Sequence, residues 1–381
     1  MIPRTLFAPE HETFRDSVRR FLEAEVKPHD ERWQEQGYVD KAVWKKAGEH
    51  GFLCMSMPEE YGGSGADRLF SMVLMEEQAR TNNSSVGWAL HSEIVAPYLL
   101  NYGSDGLKKK YLPKMASGDM ISAIAMSEPG AGSDLQAIRT SALRKGDGYV
   151  LNGAKTFITN GWNCDLVIVV AKTDPAKGAK GTSLLVVDTS MKGFVKGKRL
   201  KKMGLKGQDT TELFFDDVEV PAENLLGQEN NGFIYLMQEL PWERMQIAIG
   251  AAAKCEAALR WTIDFVNERK AFGKPVASFQ NTRFKLAEAH TAATIGRVFV
   301  DHCVTRVIDG TLDTVTASMA KWWLTDQQWR HIDECLQLFG GYGYMLEYPV
   351  ARAFLDARIQ TIYAGSNEIM KEIVARSLER E

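Results

Sequence analysis

The chain has 381 residues, 45% of them hydrophobic and 25% charged, with a formal net charge of -3. That length suits two or three domains rather than one simple core, and the apolar content is enough to bury them. The charge gives no reason to expect nucleic acid or an anionic membrane as partner, no apolar run approaches a membrane span, and five scattered cysteines without C-x-x-C spacing argue for a reducing compartment and against a disulfide framework or zinc site. The N-terminal run MIPRTLFAPEHETF has neither a signal-peptide core nor an Arg/Ser-rich transit segment. A cytoplasmic, bacterial location is therefore expected if Met1 is the native start, with a mature mitochondrial matrix form as the alternative.

Residues 1–120 read as helical. Phe14, Val18, Phe21, Leu22 and Val26 recur at helical spacing until Pro28. A second helix runs from Asp40 to His50 and ends at Gly51, and a third from Ala66 to Arg80 follows a loop with Gly62, Gly63 and Gly65. Lys108, Lys109 and Lys110 read as a solvated helix face.

The character changes near Gly118. From Ile121 to about Val220, short β-type runs alternate with turns. Arg139–Leu143 and Tyr149–Leu151 flank a Lys145-Gly146-Asp147-Gly148 turn, a hairpin signal. Leu166–Ala171 and Leu184–Val187 are continuous apolar strands, and Thr211–Val220 is closed by Pro221. No helical pattern alternates with these strands, so an antiparallel barrel or sandwich is expected instead of a βαβ fold. The basic run Lys196, Lys198, Arg199, Lys201 and Lys202 reads as a solvated edge, where lysines discourage edge pairing. Glu239–Glu268, Phe279–Ile308 and Thr314–Leu338 are long enough to build a four-helix bundle. The expected class is α+β with three domains: helical over 1–120, β over 121–230, helical over 231–381.

Ser127-Glu128-Pro129-Gly130-Ala131-Gly132-Ser133-Asp134 follows the buried run Ile121–Met126. Small residues with glycine let a ligand approach the main chain and its N–H groups, and Ser127 and Ser133 add hydroxyls. A dinucleotide fingerprint of the G-x-G-x-x-G kind would need glycine where Leu135 stands. On these residues alone, a plain turn between strands and a ligand loop stand level.

SEPGAGSD at Ser127–Asp134, FITNG at Phe157–Gly161, RKAFG at Arg269–Gly273, QLFGGYGY at Gln337–Tyr344 and AGSNEIM at Ala364–Met370 together resemble the acyl-CoA dehydrogenase family, in its order and spacing over essentially the whole chain. LMQELPWER, NERKAFGK and YPVARAFLDARIQTIYAGSNEIMKE bring the likeness closest to its long-chain members. The resemblance implies FAD held between the β-domain and the C-terminal bundle, a homotetramer, an acyl-CoA substrate and an electron-transferring flavoprotein as acceptor.

It also implies the site residues. Ile124, Met126, Ser127, Gly132, Ser133, Phe157, Ile158 and Thr159 would lie along the flavin. Phe157 and Thr159 can share one strand face, stacking on a flat ring and bonding its polar edge. Arg269, Phe272 and Gln280 would reach the pyrophosphate and adenine across a subunit interface, arginine suiting pyrophosphate by its planar fork. Gln337, Gly340 and Gly341 would close the pyrophosphate site, with Ser366 and Glu368 at the dinucleotide's far end. Medium-chain members often carry glutamine where Glu368 stands. Ser133, Arg244, Ala364 and Gly365 would meet the substrate.

Oxidation at Cα–Cβ needs a base for the α-proton, and a carboxylate in an apolar pocket suits that task. Many members place a glutamate where this chain has Ala364. Long-chain and isovaleryl members place it in an L-x-x-E-R run, here Leu240-Pro241-Trp242-Glu243-Arg244, so Glu243 is the expected base. Trp242 replaces a polar residue common in the long-chain relatives. The competing reading is a flavoprotein of the same fold acting on carrier-protein-bound acyl or aminoacyl groups.

Overall fold

The computed structural model describes residues 2–379. The chain opens with helices α1 (Pro9–Phe21), α2 (Asp30–Gln36), α3 (Lys41–Glu49), α4 (Arg68–Arg80), α5 (Ala96–Tyr102) and α6 (Asp105–Ala116). Acidic Glu10 and Glu12 begin α1 and basic Arg19 and Arg20 end it, which complements the helix dipole. Beyond Phe21 the backbone widens into a π-type turn over Leu22–Val26 and tightens over Lys27–His29. The helical run thus does reach Pro28, but not as one α-helix. Asp67 caps α4 by accepting from Leu69 N at 2.8 Å. A second π-type turn, Leu90–Val95, leads into α5, and such widenings often sit beside functional sites.

The middle domain is a curled sheet of β1 (Ser122–Ala125), β2 (Ser141–Lys145), β3 (Gly148–Thr159), β4 (Leu166–Lys172), β5 (Thr182–Asp188), β6 (Phe194–Arg199) and β7 (Thr210–Pro221). Its order is β1-β4-β2-β3-β7-β6, with β5 also pairing β4. The β2–β3 hairpin forms at the expected turn, pairing Lys145 with Gly148. The sheet is mixed, however, and the purely antiparallel expectation needs correcting. β1 pairs β4 in parallel, Ser122 with Leu166 through Ala125 with Val169. Both strands are buried along their whole length, as parallel strands usually are, and the β2–β3 hairpin lies within the crossover that a parallel pair requires. β6 is the exposed edge. Its lysines are not merely solvated, because Lys196 Nζ donates to the carbonyls of Trp162 at 2.8 Å and Cys164 at 2.5 Å.

Four long or docking helices build the bundle: α7 (Gly232–Glu268), α8 (Gln280–Ile308), α9 (Thr314–Phe339) and, after α10 (Pro349–Ala357), α11 (Asn367–Leu378). A small hairpin, β8 (Lys270–Ala271) with β9 (Lys274–Pro275), joins α7 to α8.

Two clusters fix α7 in place. Leu69, Met72 and Met75 of α4 pack with Trp242, Met245 and Ile249 of α7 and with Val300 and Leu324 of the bundle. Tyr98 and Leu99 of α5, Ile168, Val170 and Leu184 of the sheet, and Leu236 of α7 form the other. Burial of each large apolar side chain stabilises by roughly 1.5–3 kcal/mol. The helix carrying Glu243 is therefore held by all three domains.

Candidate functional site

The glycine-rich loop is pinned from beneath. Glu128 and Ala131 exchange backbone hydrogen bonds of 2.8 and 3.1 Å across Pro129 and Gly130. The buried Glu128 carboxylate accepts from Arg139 N at 2.7 Å, Thr140 N at 3.0 Å and Lys155 Nζ at 2.9 Å. Lys155 also donates to Met126 O at 2.9 Å, and burial lowers its pKa to about 8 against the pull of Glu128. The outer surface is open. Gly130, Gly132 and Ser133 are exposed, and a Cβ at either glycine would meet nothing within 4 Å. Ile124 lies nearly buried within β1, and Met126 and Ser127 are half-buried where the loop begins.

The loop meets β3 where Thr156 N donates to Ser127 O at 2.9 Å. There the register against β7 slips between Lys155 and Ile158. The expected regular alternation is replaced by this bulge, in which Phe157 adopts φ +60° and is turned outward, 69% exposed, while Ile158 is buried. Bulges re-aim side chains in this way. Phe157 and Thr159 still come together. They line a groove of about 340 Å³ whose other wall is Leu355, Ile359, Ile362 and Tyr363 from the C-terminal domain.

A second groove, of about 530 Å³, gathers Arg269, Gln337, Gly340 and Gly341. The Arg269 guanidinium lies 5.3 Å from the Tyr342 ring centre. Gly340 has φ +59°, and a Cβ there or at Gly341 would meet nothing within 4 Å. Phe272 and Gln280 stand outside this groove. Phe272 (φ +52°) and Gly273 (φ +78°) form the tip of the β8–β9 hairpin, the two positive-φ positions of a type I′ turn, and the Phe272 ring is 96% exposed. Gln280 is exposed at the first turn of α8. Ser366 caps α11 by accepting from Ile369 N at 3.4 Å. Glu368 is exposed, its pKa lowered by backbone and Ser366 hydrogen bonds at the helix start. The two grooves share no lining residue. One presents a bare aromatic ring and a hydroxyl, the other an arginine fork and uncovered backbone. These are the donor sets that a flavin ring and a diphosphate require, so the residues fit FAD.

Glu243 lies on α7, two residues after Pro241. It is 5% exposed, and Tyr98 Oη donates to its Oε1 at 2.9 Å. Burial pushes the carboxyl up to about 7, with Glu239 adding to the rise and Tyr98 and Arg244 opposing it. Arg244 turns instead toward α9, its Nη1 donating to Ser318 Oγ at 3.3 Å and its Nε buried without a partner. One turn along α9, the buried Lys321 donates to Gly365 O at 2.7 Å and Asn367 Oδ1 at 3.0 Å. Ala364 (φ +52°) and Gly365 (φ +91°) form the turn it holds. Helix α9 thereby ties the neighbour of Glu243 to the Ala364 turn. Trp242 is buried in the α4–α7 contact, its Nε1 donating to Glu93 Oε2 at 3.3 Å under the Arg68 guanidinium.

Sequence reasoning missed Tyr98, Glu128, Lys155, Ser318 and Lys321. Each acts through a partner distant in the chain or buried without a local motif, and no spacing marks them.

Three family models match in order: the acyl-CoA dehydrogenase N-terminal domain over residues 8–119, the middle domain over 123–218 and the C-terminal domain over 230–379. The chain is 52% identical over 377 residues to the mitochondrial long-chain specific acyl-CoA dehydrogenase of Mus musculus, covering 98% of this chain and 88% of that protein. A crystal structure of acyl-CoA dehydrogenase from Geobacillus kaustophilus superposes with a TM-score of 0.97 at 47% identity, covering 99% of this chain and all (100%) of that one. A glutaryl-CoA dehydrogenase from Mycobacterium smegmatis, solved in complex with FADH2, superposes with a TM-score of 0.92 at 27% identity over 99% of this chain and 96% of its own. With likeness of this extent, over a chain that presents these two grooves and a buried carboxylate, the chain belongs to the acyl-CoA dehydrogenase family of FAD-dependent oxidoreductases.

Proposed function

We propose that the enzyme removes the α-proton and a β-hydride from a medium-, long- or branched-chain acyl-CoA, giving the trans-2-enoyl-CoA, with Glu243 as the base. The observation that carries this reading is Glu243 itself: a buried carboxyl raised to about 7 and bonded by Tyr98, in a chain whose residue 364 is alanine. A carboxylate so placed is basic enough to take an α-proton at neutral pH. FAD, when bound, accepts the hydride leaving Cβ, which completes the two-electron oxidation.

The chain's own residues do the rest. Glu243 receives the proton on a carboxylate oxygen. The backbone N–H of Ala364 hydrogen-bonds the thioester oxygen and stabilises the negative charge that develops there as the proton leaves. Gly365 allows close approach, and Arg244 and Ser133 border the substrate. Phe157 and Thr159, together with Ile124, Met126, Ser127, Gly132 and Ile158, hold and orient the ring. Arg269, Phe272, Gln280, Gln337, Gly340, Gly341, Ser366 and Glu368 hold the diphosphate and adenine end. The separation of the Arg269 groove from the Phe157–Thr159 groove within one chain supports Arg269, Phe272 and Gln280 reaching the flavin of a neighbouring copy, in the homotetramer that we infer for the enzyme. Electrons then pass to an electron-transferring flavoprotein, in the cytoplasm of a bacterial cell.

The test is anaerobic mixing of the purified yellow enzyme with acyl-CoA esters of graded chain length and branching. Bleaching of the flavin band with formation of enoyl-CoA is expected, and FAD in the supernatant after denaturation. Absence of bleaching with every CoA ester, alongside bleaching with a carrier-protein thioester, would overturn the reading.

A further inference from the structure

Helix α5 belongs to the N-terminal domain, yet it meets α7 through a row of polar contacts that runs from the buried Tyr98 out to the exposed Asn101. Tyr98 Oη donates to Glu243 Oε1 at 2.9 Å. One turn on, Tyr102 Oη and Asn101 Nδ2 each donate to Glu239 Oε1 at 2.8 Å. Tyr98 has no exposed surface and its ring is locked in the apolar cluster with Leu99, Ile168 and Leu236. Among the described residues, Tyr98 is the one hydrogen-bond donor to the Glu243 side chain, since Arg244 is turned to Ser318.

We infer that Tyr98 is a positioning residue for proton abstraction, holding Glu243 through Oε1 in a single rotamer and leaving Oε2 as the oxygen that takes the proton. This rests on the reading of Glu243 as the base. A buried carboxylate with no donor would be free to rotate about its side-chain torsions and would carry its charge unsolvated, and both defects reduce the fraction of molecules poised to react. A fixed phenol O–H removes both.

The groups that face Glu243 set the sign of the pH effect. They are Glu239 and Arg244 on its own helix and Tyr98 on α5, with Tyr102 of α5 bonded to Glu239, and Lys321 of α9 on the far side of Arg244, whose charge it feels. A donor to the charged form favours that form. Removing the Tyr98 hydroxyl therefore raises the pH at which Glu243 becomes a carboxylate, while the other charges stay where they are.

The experiment compares wild-type holoenzyme, Tyr98→Phe and Glu243→Gln. Flavin bleaching in a single turnover is followed from pH 5.5 to 9.5. The carboxyl C=O stretch of Glu243, assigned by its loss in Glu243→Gln, is titrated by infrared difference spectroscopy without substrate. In Tyr98→Phe the acid limb of the rate profile and the infrared midpoint are both expected to move up by about one to two pH units, the scale of a hydrogen bond to a charged group. The rate at pH 7 should fall roughly tenfold and recover to within about threefold at pH 9.5, with enoyl-CoA affinity unchanged. An acid limb and midpoint that stay in place, whether the rate is normal or uniformly low, would overturn the assignment of Tyr98 while leaving Glu243 as base. Near wild-type bleaching by Glu243→Gln would instead overturn the base and Tyr98 with it. If Tyr98→Phe does not retain FAD, 3-fluorotyrosine installed at position 98 keeps the ring and donates more strongly. Its acid limb should then move down, and no shift or an upward one would refute the role.

Discussion

Lys321, a side chain with no exposed surface, reaches 2.7 Å from the carbonyl oxygen of Gly365. The same ammonium bonds Asn367 Oδ1 at 3.0 Å, so one group fixes both the Ala364–Gly365 turn and the start of α11. Burial lowers its pKa to about 7, and Arg244 adds to the fall. A left-handed alanine costs on the order of 1–2 kcal/mol, and Ala364 at φ +52° bears that strain. The lysine's hydrogen bonds anchor the turn on the far side of that residue.

Lys321→Met should leave Gly365 O and Asn367 Oδ1 without their donor and destabilise the holoenzyme by about 2–4 kcal/mol. If the Ala364 N–H bonds the thioester oxygen, its misalignment should also slow flavin reduction by roughly one to two orders of magnitude. Denaturant unfolding and stopped-flow bleaching measure the two effects. Full stability with full rate would show that the turn holds itself.

Arg269→Ala should weaken FAD retention and assembly together, because the Arg269–Gln337–Gly340 groove is separate from the Phe157–Thr159 groove within one chain. Sedimentation and the absorbance ratio of flavin to protein would be compared with wild type. A wild-type monomer that keeps its full complement of FAD would contradict the shared site.

Much of this molecule was legible in the sequence because it is local. The three long helices and the Lys145–Gly148 hairpin follow from periodicity and turn chemistry; the hairpin and the second and third helices form within a residue or so of the expected bounds, and α7 starts earlier, at Gly232 instead of Glu239. Phe157 and Thr159 also share a groove as expected, but through a bulge, since a positive φ on phenylalanine is not something that its neighbours specify. The parallel β1–β4 pairing depends on which strands meet across about forty residues. The Tyr98–Glu243 contact spans 145 positions, and Lys321–Gly365 spans 44. Such pairs are set by how domains pack, and tyrosine and lysine at helical spacing read as ordinary core and surface until the fold brings them together.

Glu243 should also leave a mark on stability. Its carboxyl has an ordinary value of 4.5 and rises to about 7 in the folded chain, chiefly through burial. Between those values the native state binds more protons than the unfolded one. Stability contributed by this group therefore falls as pH rises through that window, and the full deficit is present above pH 7. It is on the order of 3 kcal/mol. Glu243→Gln keeps an acceptor for Tyr98 and carries no charge. It should be more stable than wild type at pH 8 by about that amount, with the difference vanishing toward pH 4. Equal unfolding midpoints at pH 8 would mean that the carboxylate is better solvated than its burial implies.

The base can be moved, and the backbone at residue 364 makes this a clean trial. Ala364 already has a Cβ in the left-handed region, so Ala364→Glu adds no new backbone strain, unlike the same change at a glycine. The residue is half-buried in the turn held by Lys321, and a glutamate there would approach the α-carbon from a different side of the substrate. Glu243→Gln alone should bind FAD and acyl-CoA with flavin reduction slowed by roughly three or more orders of magnitude, since shape and hydrogen bonding survive and basicity does not. Adding Ala364→Glu should restore part of that rate, most for short unbranched esters, because the longer side chain takes up volume that alanine leaves open. Stopped-flow bleaching across chain lengths reads both changes. Rescue in the double variant with a shift toward shorter esters would place both carboxylates on the same proton. A fast Glu243→Gln single variant would remove Glu243 from the reaction.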